Sequence, residues 1–501
     1  MISKATAKRG WPKDSTQYQN VTIHRRPKVP ALCPTFPRAL ARHSARRGMT
    51  PVVPSLPHMS PPARLAPVLL AVLLGSACSA VTSVRTPDAG RSMPTRRVLA
   101  NGTRVVVQEF HASDVVAIQL WVDAGGRDET SSELGLAHYL EHMLFKGTVT
   151  RAPGFVEREV EGLGGRINAG TSLDYTYYHA LLPPPRTVAT IEMLSDISVN
   201  STLSQETLEL EKRIVLEEMR LGEDNPRRHL ALRLYEVLFD GHPYGRPVIG
   251  TRELIQALSR ETLVAFYRRH YVPESFVLVV VGPVVPSAVL AAAERTLGQL
   301  PRSGLKRLPL PAPAAVRTKM LEVERPGTQA YLGMAWLGPK LDHADTPVVD
   351  LLVSILGQSR SSRLPQALRE RLGLVSSVSA GYSPLEAAGA VTITAQLEPA
   401  NLARAEAAIL TELQRVREHG VTDAELRRAV TAAEARDAFS TETAEGRAYA
   451  FGRAETVWRL EEELAYVDRL RSVTPDQIRS AARRYLDPER YNRVAFVPPA
   501  R

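Results

Sequence analysis

From about residue 95 the apolar positions alternate between two periods. TRVVVQE (103–109) and VVAIQLWVDAG (115–125) are apolar at neighbouring and alternate positions and predict strands. Spacing of three and four then predicts helices over 131–146, 153–164, 186–202 and 204–222. A further helical stretch, 251–269, leads into YVPESFVLVVVGP (271–283), which reads as a buried strand. After LPRSGLKRLPLPAPA (300–314), rich in proline and without apolar periodicity, the same grammar restarts. Strand AYLGMAWLG (330–338), helices 345–357 and 362–371, strand AVTITAQL (390–397) and long helices to 484 follow.

The two stretches also share sequence. RRHYVPESFVLVVVGP (268–283) matches RRYLDPERYNRVAFVPP (483–499) in its Arg-Arg pair, in Tyr271 and Tyr485, and in a Pro-Glu before an apolar strand. Ser259 and Thr474 stand where each preceding helix would start. A repeat this long is a domain, since solenoid units run to roughly 20–50 residues. The expected fold is α+β: two duplicated domains, 95–299 and 315–501, each a mostly antiparallel or mixed sheet packed with helices, joined by the linker 300–314.

Charge changes the picture at the front of the chain. Residues 1–58 carry eleven Lys or Arg and one acid, Asp14, which accounts for the whole net charge of +10. The remainder is close to neutral, so the basic balance does not imply nucleic-acid binding. This proline-rich tail has no periodicity and reads as disordered or untranslated, with Met59 or Met49 as the start. From Met59, an apolar run and LLGSACS give 59–78 the layout of a secretory signal ending in a lipobox-like Cys78, although Gly75 departs from the usual leucine. Residues 79–94 would be a linker. The expectation is a bacterial envelope protein on the periplasmic side, held to a membrane, the outer one favoured, by lipid on Cys78. The only cysteines are Cys33 and Cys78, both ahead of the folded region. A metal would therefore have to be held by His and carboxylate.

LGLAHYLEHMLFKGT (134–148) supplies such residues. Thr130 with Glu133 forms a capping-box pattern, and Gly147 stops the helix. His138 and His142, four apart, share a helix face, and Glu141 stands beside them in an H-x-x-E-H pattern. Catalytic zinc needs a third protein ligand and an open position. On 204–226 an apolar stripe contains Leu208, Glu211, Val215, Glu218 and Met219. Carboxylates on such a stripe are costly without a charge partner, which a metal would be. Glu217 lies off that stripe and suits a solvated face.

GLAHYLEHMLFKGT, GLGGRINAGTSLDYTYYHALLP (162–183) and LEKRIVLEEM (210–219) together resemble the zinc metallopeptidases related to pitrilysin and the mitochondrial processing peptidases. The resemblance spans about 95–497. It implies one Zn2+ per chain on His138, His142 and Glu218, with Glu141 as the general base that activates water. Glu211 would be an acid supporting the ligands. Asn168 and Ala169 would lie on an edge strand that pairs with extended peptide substrate. In that family an arginine and, seven residues on, a tyrosine of the second domain bind substrate. Here Arg369 holds the first place but Ser376 the second, with Tyr382 out of register. The resemblance thus implies a zinc endopeptidase that needs a homodimer or a related subunit lacking zinc ligands. Alternatives are a non-catalytic or partner-dependent subunit on the same fold, a zinc hydrolase for another substrate, and a membrane-attached interaction module.

Overall fold

The apolar runs become the strands of two sheets with one topology. In the first half these are β1 (Thr95–Val98), β2 (Arg104–Glu109), β3 (Val116–Val122), β4 (Arg166–Thr171), β5 (Thr176–Leu182) and β6 (Phe276–Gly282). Their order is β1-β2-β6-β3-β5-β4, antiparallel except for β2 beside β6. The second half holds β7 (Met320–Glu324), β8 (Ala330–Gly338), β9 (Ser377–Pro384), β10 (Gly389–Leu397) and β11 (Asn492–Val497). Here the order is β7-β11-β8-β10-β9, antiparallel except for β7 beside β11. Without β1, the sheets match strand for strand, down to the single parallel pair. The two segments that share sequence end in β6 and β11, equivalent positions in this pattern.

The computed structural model describes residues 92–314 and 318–499. The tail 1–58, the segment 59–78 with Cys78, and all but the last residues of 79–94 lie outside them. Among the described residues, no helix is long and apolar enough to cross a membrane.

Helices of the first half are α1 (Leu136–Leu144), α2 (Phe155–Gly162), α3 (Thr187–Val199), α4 (Gln205–Asp224), α5 (Pro226–Leu238), α6 (Arg252–Ala257), α7 (Arg260–His270) and α8 (Pro286–Arg295). The single helix expected over 251–269 is two. Thr251 caps α6 and Ser259 caps α7, each by accepting a backbone N–H three residues on, so the chain turns at Leu258. The second half carries α9 (Thr346–Gly357), α10 (Leu402–His419), α11 (Asp423–Ser440), α12 (Ala444–Val457), α13 (Leu460–Leu464), α14 (Tyr466–Arg471) and α15 (Pro475–Tyr485). The helix expected over 362–371 is a π-helical segment, Pro365–Arg371.

One face of each sheet packs on its own half's helices and makes a core there. The other faces are covered by exchange. α12 lays Ala444, Ala448 and Phe451 on Val106, Trp121 and Val279 of the first sheet. α5 lays Leu230, Leu234 and Leu238 on Ala335, Ala390 and Phe496 of the second. This explains why β3 and β6 are buried at every residue and read as unbroken apolar runs: both faces are dry. All described residues belong to one compact unit. The linker 300–314 has no regular structure, but it is not a loose tether. Arg307 bonds Asp123 and Asp128 of the first half, and its Nη1 lies 3.3 Å from Glu386 of the second.

Candidate metal centre

α1 is held where its polar side chains can meet α4. Gly135 enters the helix at φ +96°, and a Cβ there would lie 2.7 Å from the Ile249 carbonyl oxygen. The first N–H groups of α1 are taken by Glu129, which accepts from Gly135 (2.9 Å) and Ala137 (2.8 Å). Thr130 and Glu133 do bond, N–H to Oε2 at 3.0 Å, but they close a turn before the helix. The helix therefore begins later than the capping-box pattern suggests, and the cap is a carboxylate six to eight residues upstream of the groups it satisfies. At the far end Gly147, φ +110°, stops the helix. The Tyr139 hydroxyl donates to the Leu208 carbonyl and clamps α1 to α4.

This crossing brings His138, His142 and Glu218 together. Both His Nε2 atoms lie 3.7 Å from Glu218 Oε2, and all three ligand atoms fall within 4.8 Å of one another. Tetrahedral zinc ligands at ordinary bond lengths are separated by about 3.4 Å, so the cluster is close to binding geometry. His142 Nε2 and Glu218 Oε1 are buried and have no hydrogen-bond partner. Buried polar atoms are rarely left so unless something else binds them. The two side-chain types are those that hold divalent metals, so the residues fit a zinc ion.

Around this trio the remaining acids are placed differently. Glu211 Oε2 sits 3.2 Å from His142 Nδ1, and its other oxygen is 3.1 Å from Lys146 Nζ. That bond fixes the His142 ring with Nε2 toward Glu218. Burial opposes charge on His142, but the bond to Glu211 and the carboxylates of Glu141 and Glu218 raise its pKa on balance. His138, buried and beside His142, is held well below its ordinary value. A neutral imidazole is the form that ligates. Glu141 is 4% exposed and accepts from the Thr171 hydroxyl at 2.6 Å. Burial pushes its carboxyl up to about 7, against the pull of His142 and Thr171. Glu217 is exposed and paired with Arg220.

β4 is the edge of the first sheet, with no strand on its outer side among the described residues. Ser172 N–H bonds the Tyr175 carbonyl at 2.7 Å, so in this register Ile167, Ala169 and Thr171 point their backbone groups away from β5. The outward N–H of Ala169 is met by the Asn168 side-chain oxygen at 2.9 Å. Asn168 and Ala169 thus stand at a free edge, one turn of pleat from the Thr171–Glu141 bond.

Beyond Thr171 opens a cavity of about 430 Å³, which His138 also lines. Its far wall comes from β9 and β10, including Tyr382. Neither Arg369 nor Ser376 lines it. Arg369 is exposed on the π-helical segment, and Ser376 is spent on the Gln396 carbonyl. Tyr382 does reach the cavity wall, but its hydroxyl donates to the Pro339 carbonyl at 2.6 Å. Arg453 of α12 lines the cavity as well; sequence spacing gives no hint of it, because α12 arrives from the other half.

Known proteins resemble this chain in sequence and in fold. Residues 104–252 match the family model described as Insulinase (Peptidase family M16), and residues 257–433 match the one described as Peptidase M16 inactive domain. An uncharacterized zinc protease of Streptomyces coelicolor is 30% identical over 400 residues, covering 77% of this chain and 86% of that protein. One from Bacillus subtilis is 30% identical over 334 residues, 67% of this chain and 81% of that protein. The chain belongs to the M16 peptidase family. Its fold is shared with a protease from Helicobacter pylori (TM-score 0.76, 22% identity, 81% of this chain and 100% of that one). It is shared too with a peptidase M16 inactive domain structure from Pseudomonas fluorescens (TM-score 0.75, 22% identity, 82% and 99%).

Proposed function

We propose that the chain is a zinc-dependent endopeptidase acting on extended peptides or unfolded segments. The observation that carries this reading is the convergence of His138, His142 and Glu218 with the Glu141 carboxylate beside them. The zinc-protease names of its relatives support the choice of metal. His138, His142 and Glu218 would hold one zinc ion, which when bound supplies Lewis-acid polarisation of a carbonyl and makes water more acidic. Glu141, oriented by Thr171, takes a proton from the attacking water and passes it to the leaving amine. A carboxyl near 7 suits both halves of that exchange. The outward backbone of Ala169 and Thr171 holds the peptide as an added strand, which fixes its path without reading its sequence.

The test is Glu141→Gln. Zinc content by elemental analysis should stay at one per chain, while cleavage of an unfolded protein falls at least ~100-fold. Near-full cleavage by this variant would remove Glu141 from the chemistry.

A second reading concerns partnership. Arg369 and Ser376 both lie away from the cavity, which favours dependence on a homodimer or a related subunit to complete substrate binding. Cleavage that rises with protein concentration, or on adding the partner, supports it; concentration-independent cleavage by the monomer counts against it. The lipobox-like segment supports a lipid anchor at Cys78 and a place in the envelope. Loss of membrane association in Cys78→Ala, in cells that carry the wild type on membranes, tests that.

A further inference from the structure

The cavity beyond Thr171 holds one positive side chain that the proposed chemistry does not use. Arg453, on α12, lines it together with His138, Leu173, Leu234, Tyr235 and Tyr382. Among the described residues its guanidinium has no hydrogen bond or ion pair; it feels the fields of Tyr175, Glu463, Tyr449, Asp174 and Asp350. The carboxylates around it are engaged elsewhere or out of reach. Asp174, the acid in the cavity wall, accepts from the Tyr244 hydroxyl at 2.7 Å and from the Glu386 N–H at 3.1 Å, and pairs with Arg127. Glu445 is taken by His179 and Arg166. Arg453 also lines the neighbouring cavity of about 380 Å³ together with Glu463, whose carboxylate attracts it but forms no ion pair with it. A guanidinium carries five N–H donors in a fork that matches a carboxylate, and none of those of Arg453 is bonded among the described residues.

The position of this cation relative to the reacting atoms gives it a use. Thr171 ends β4 and bonds the base Glu141, and Ser172–Tyr175 continue directly into the cavity wall. A peptide added along the outer edge of β4 therefore passes Glu141 at Thr171 and runs on toward Arg453. We infer that Arg453 is a specificity-determining residue that binds a carboxylate of the substrate, on the half of the peptide lying beyond Thr171. The carboxylate comes from an acidic side chain or from the peptide's own C-terminus. This rests on the peptidase reading, but its test does not need hydrolysis.

Binding is measured by fluorescence polarisation on the zinc-loaded full chain carrying Glu141→Gln. Four labelled peptides of one sequence are compared: with internal Glu or Gln, each with a free or an amidated C-terminus. A charge-assisted pair predicts that one carboxylate-bearing peptide binds about tenfold tighter than its neutral twin. If the internal Glu gives that gain, the site reads an acidic side chain; if the free terminus gives it, the site reads the C-terminal carboxylate. Adding Arg453→Met should bring the ratio to about one. Equal affinities for all four peptides in the parent, or a ratio unmoved by Arg453→Met, would overturn the inference. Should Arg453→Met fail to fold, Arg453→Lys decides. A several-fold fall in the ratio supports a fork-shaped contact, and an unchanged ratio overturns it. Cleavage of the neutral peptide by the wild-type base is scored separately and tests only the peptidase reading.

Discussion

Glu211 makes no contact with a reacting atom, yet it sets what His142 can do. Its bond to Nδ1 turns Nε2 toward Glu218, and Lys146 balances its charge from the other side. Glu211→Gln keeps the shape and removes the charge. Zinc affinity is expected to fall ~10–100-fold, as for other acids behind a metal-bound histidine. Competition with a chromogenic chelator reads the change, and an unaltered affinity would make Glu211 a packing residue only. The placement of Glu211 and Glu218 on one apolar stripe was legible from their spacing. Which of the two meets the imidazole Nε2 atoms was implied by the family resemblance and not by spacing, because it depends on the crossing of α1 over α4, fixed by Tyr139 on the Leu208 carbonyl.

Among the elements, start signals were readable when the cap was local and hidden when it was not. Ser204, Ser259 and Thr474 each cap the helix that follows by their own hydroxyls. α1 is capped by Glu129 across a turn, so its start was misplaced. β4 contains Asn168 and Gly170 and lacks a strong strand composition; pairing with β5 makes it a strand. α11 offers a test of an element by pH. Thr422 and Glu425 form its capping box, and Arg363 bonds both oxygens of Glu425, at 2.7 and 2.8 Å. The Arg363 bond, joined by the Thr422 N–H, holds the Glu425 carboxyl down at about 2. A depressed carboxyl contributes stability above its unfolded pKa and loses it as pH falls from about 4 toward 2. Glu425→Gln retains the capping pattern but not the charge. At pH 7 it should melt about 1–2 °C lower than the wild type, and the gap should close as pH drops through that window. A gap that stayed constant from pH 5 to pH 2 would deny the ion pair its role.

For the whole molecule the decisive feature is the exchange of helices between halves. α12 docks on the first sheet through a point of close approach. A Cβ on Gly452 would lie 2.0 Å from Trp121 Nε1, and Trp121 is fully buried with its N–H bonded to Gln119. The indole has nowhere to move, so Gly452→Ala should cost about 3 kcal/mol, the upper range for overpacking. The expected readout is a lower melting temperature and faster proteolysis within the linker 300–314. Because α12 also carries Arg453, peptide binding should weaken while zinc affinity holds, since the ligands lie on α1 and α4. A variant as stable as the wild type would mean that the halves are not held through this contact.

The duplicated grammar, the pairing of His138 with His142 on one helix face, and the need for a carboxylate ligand were all fixed by the chain alone. They depend on spacings of two, three, four and seven residues, and local geometry turns such spacings directly into shared faces. Three things waited for the tertiary structure: the crossing that brings Glu218, the ligand the resemblance implied, to both histidines, that Arg369 and Ser376 stand away from the cavity, and that Arg453 stands in it. Each is set by how α4, the segment 365–371 and α12 pack against distant elements. That packing follows from burying the second face of each sheet, a demand of the whole core that no short window of sequence carries.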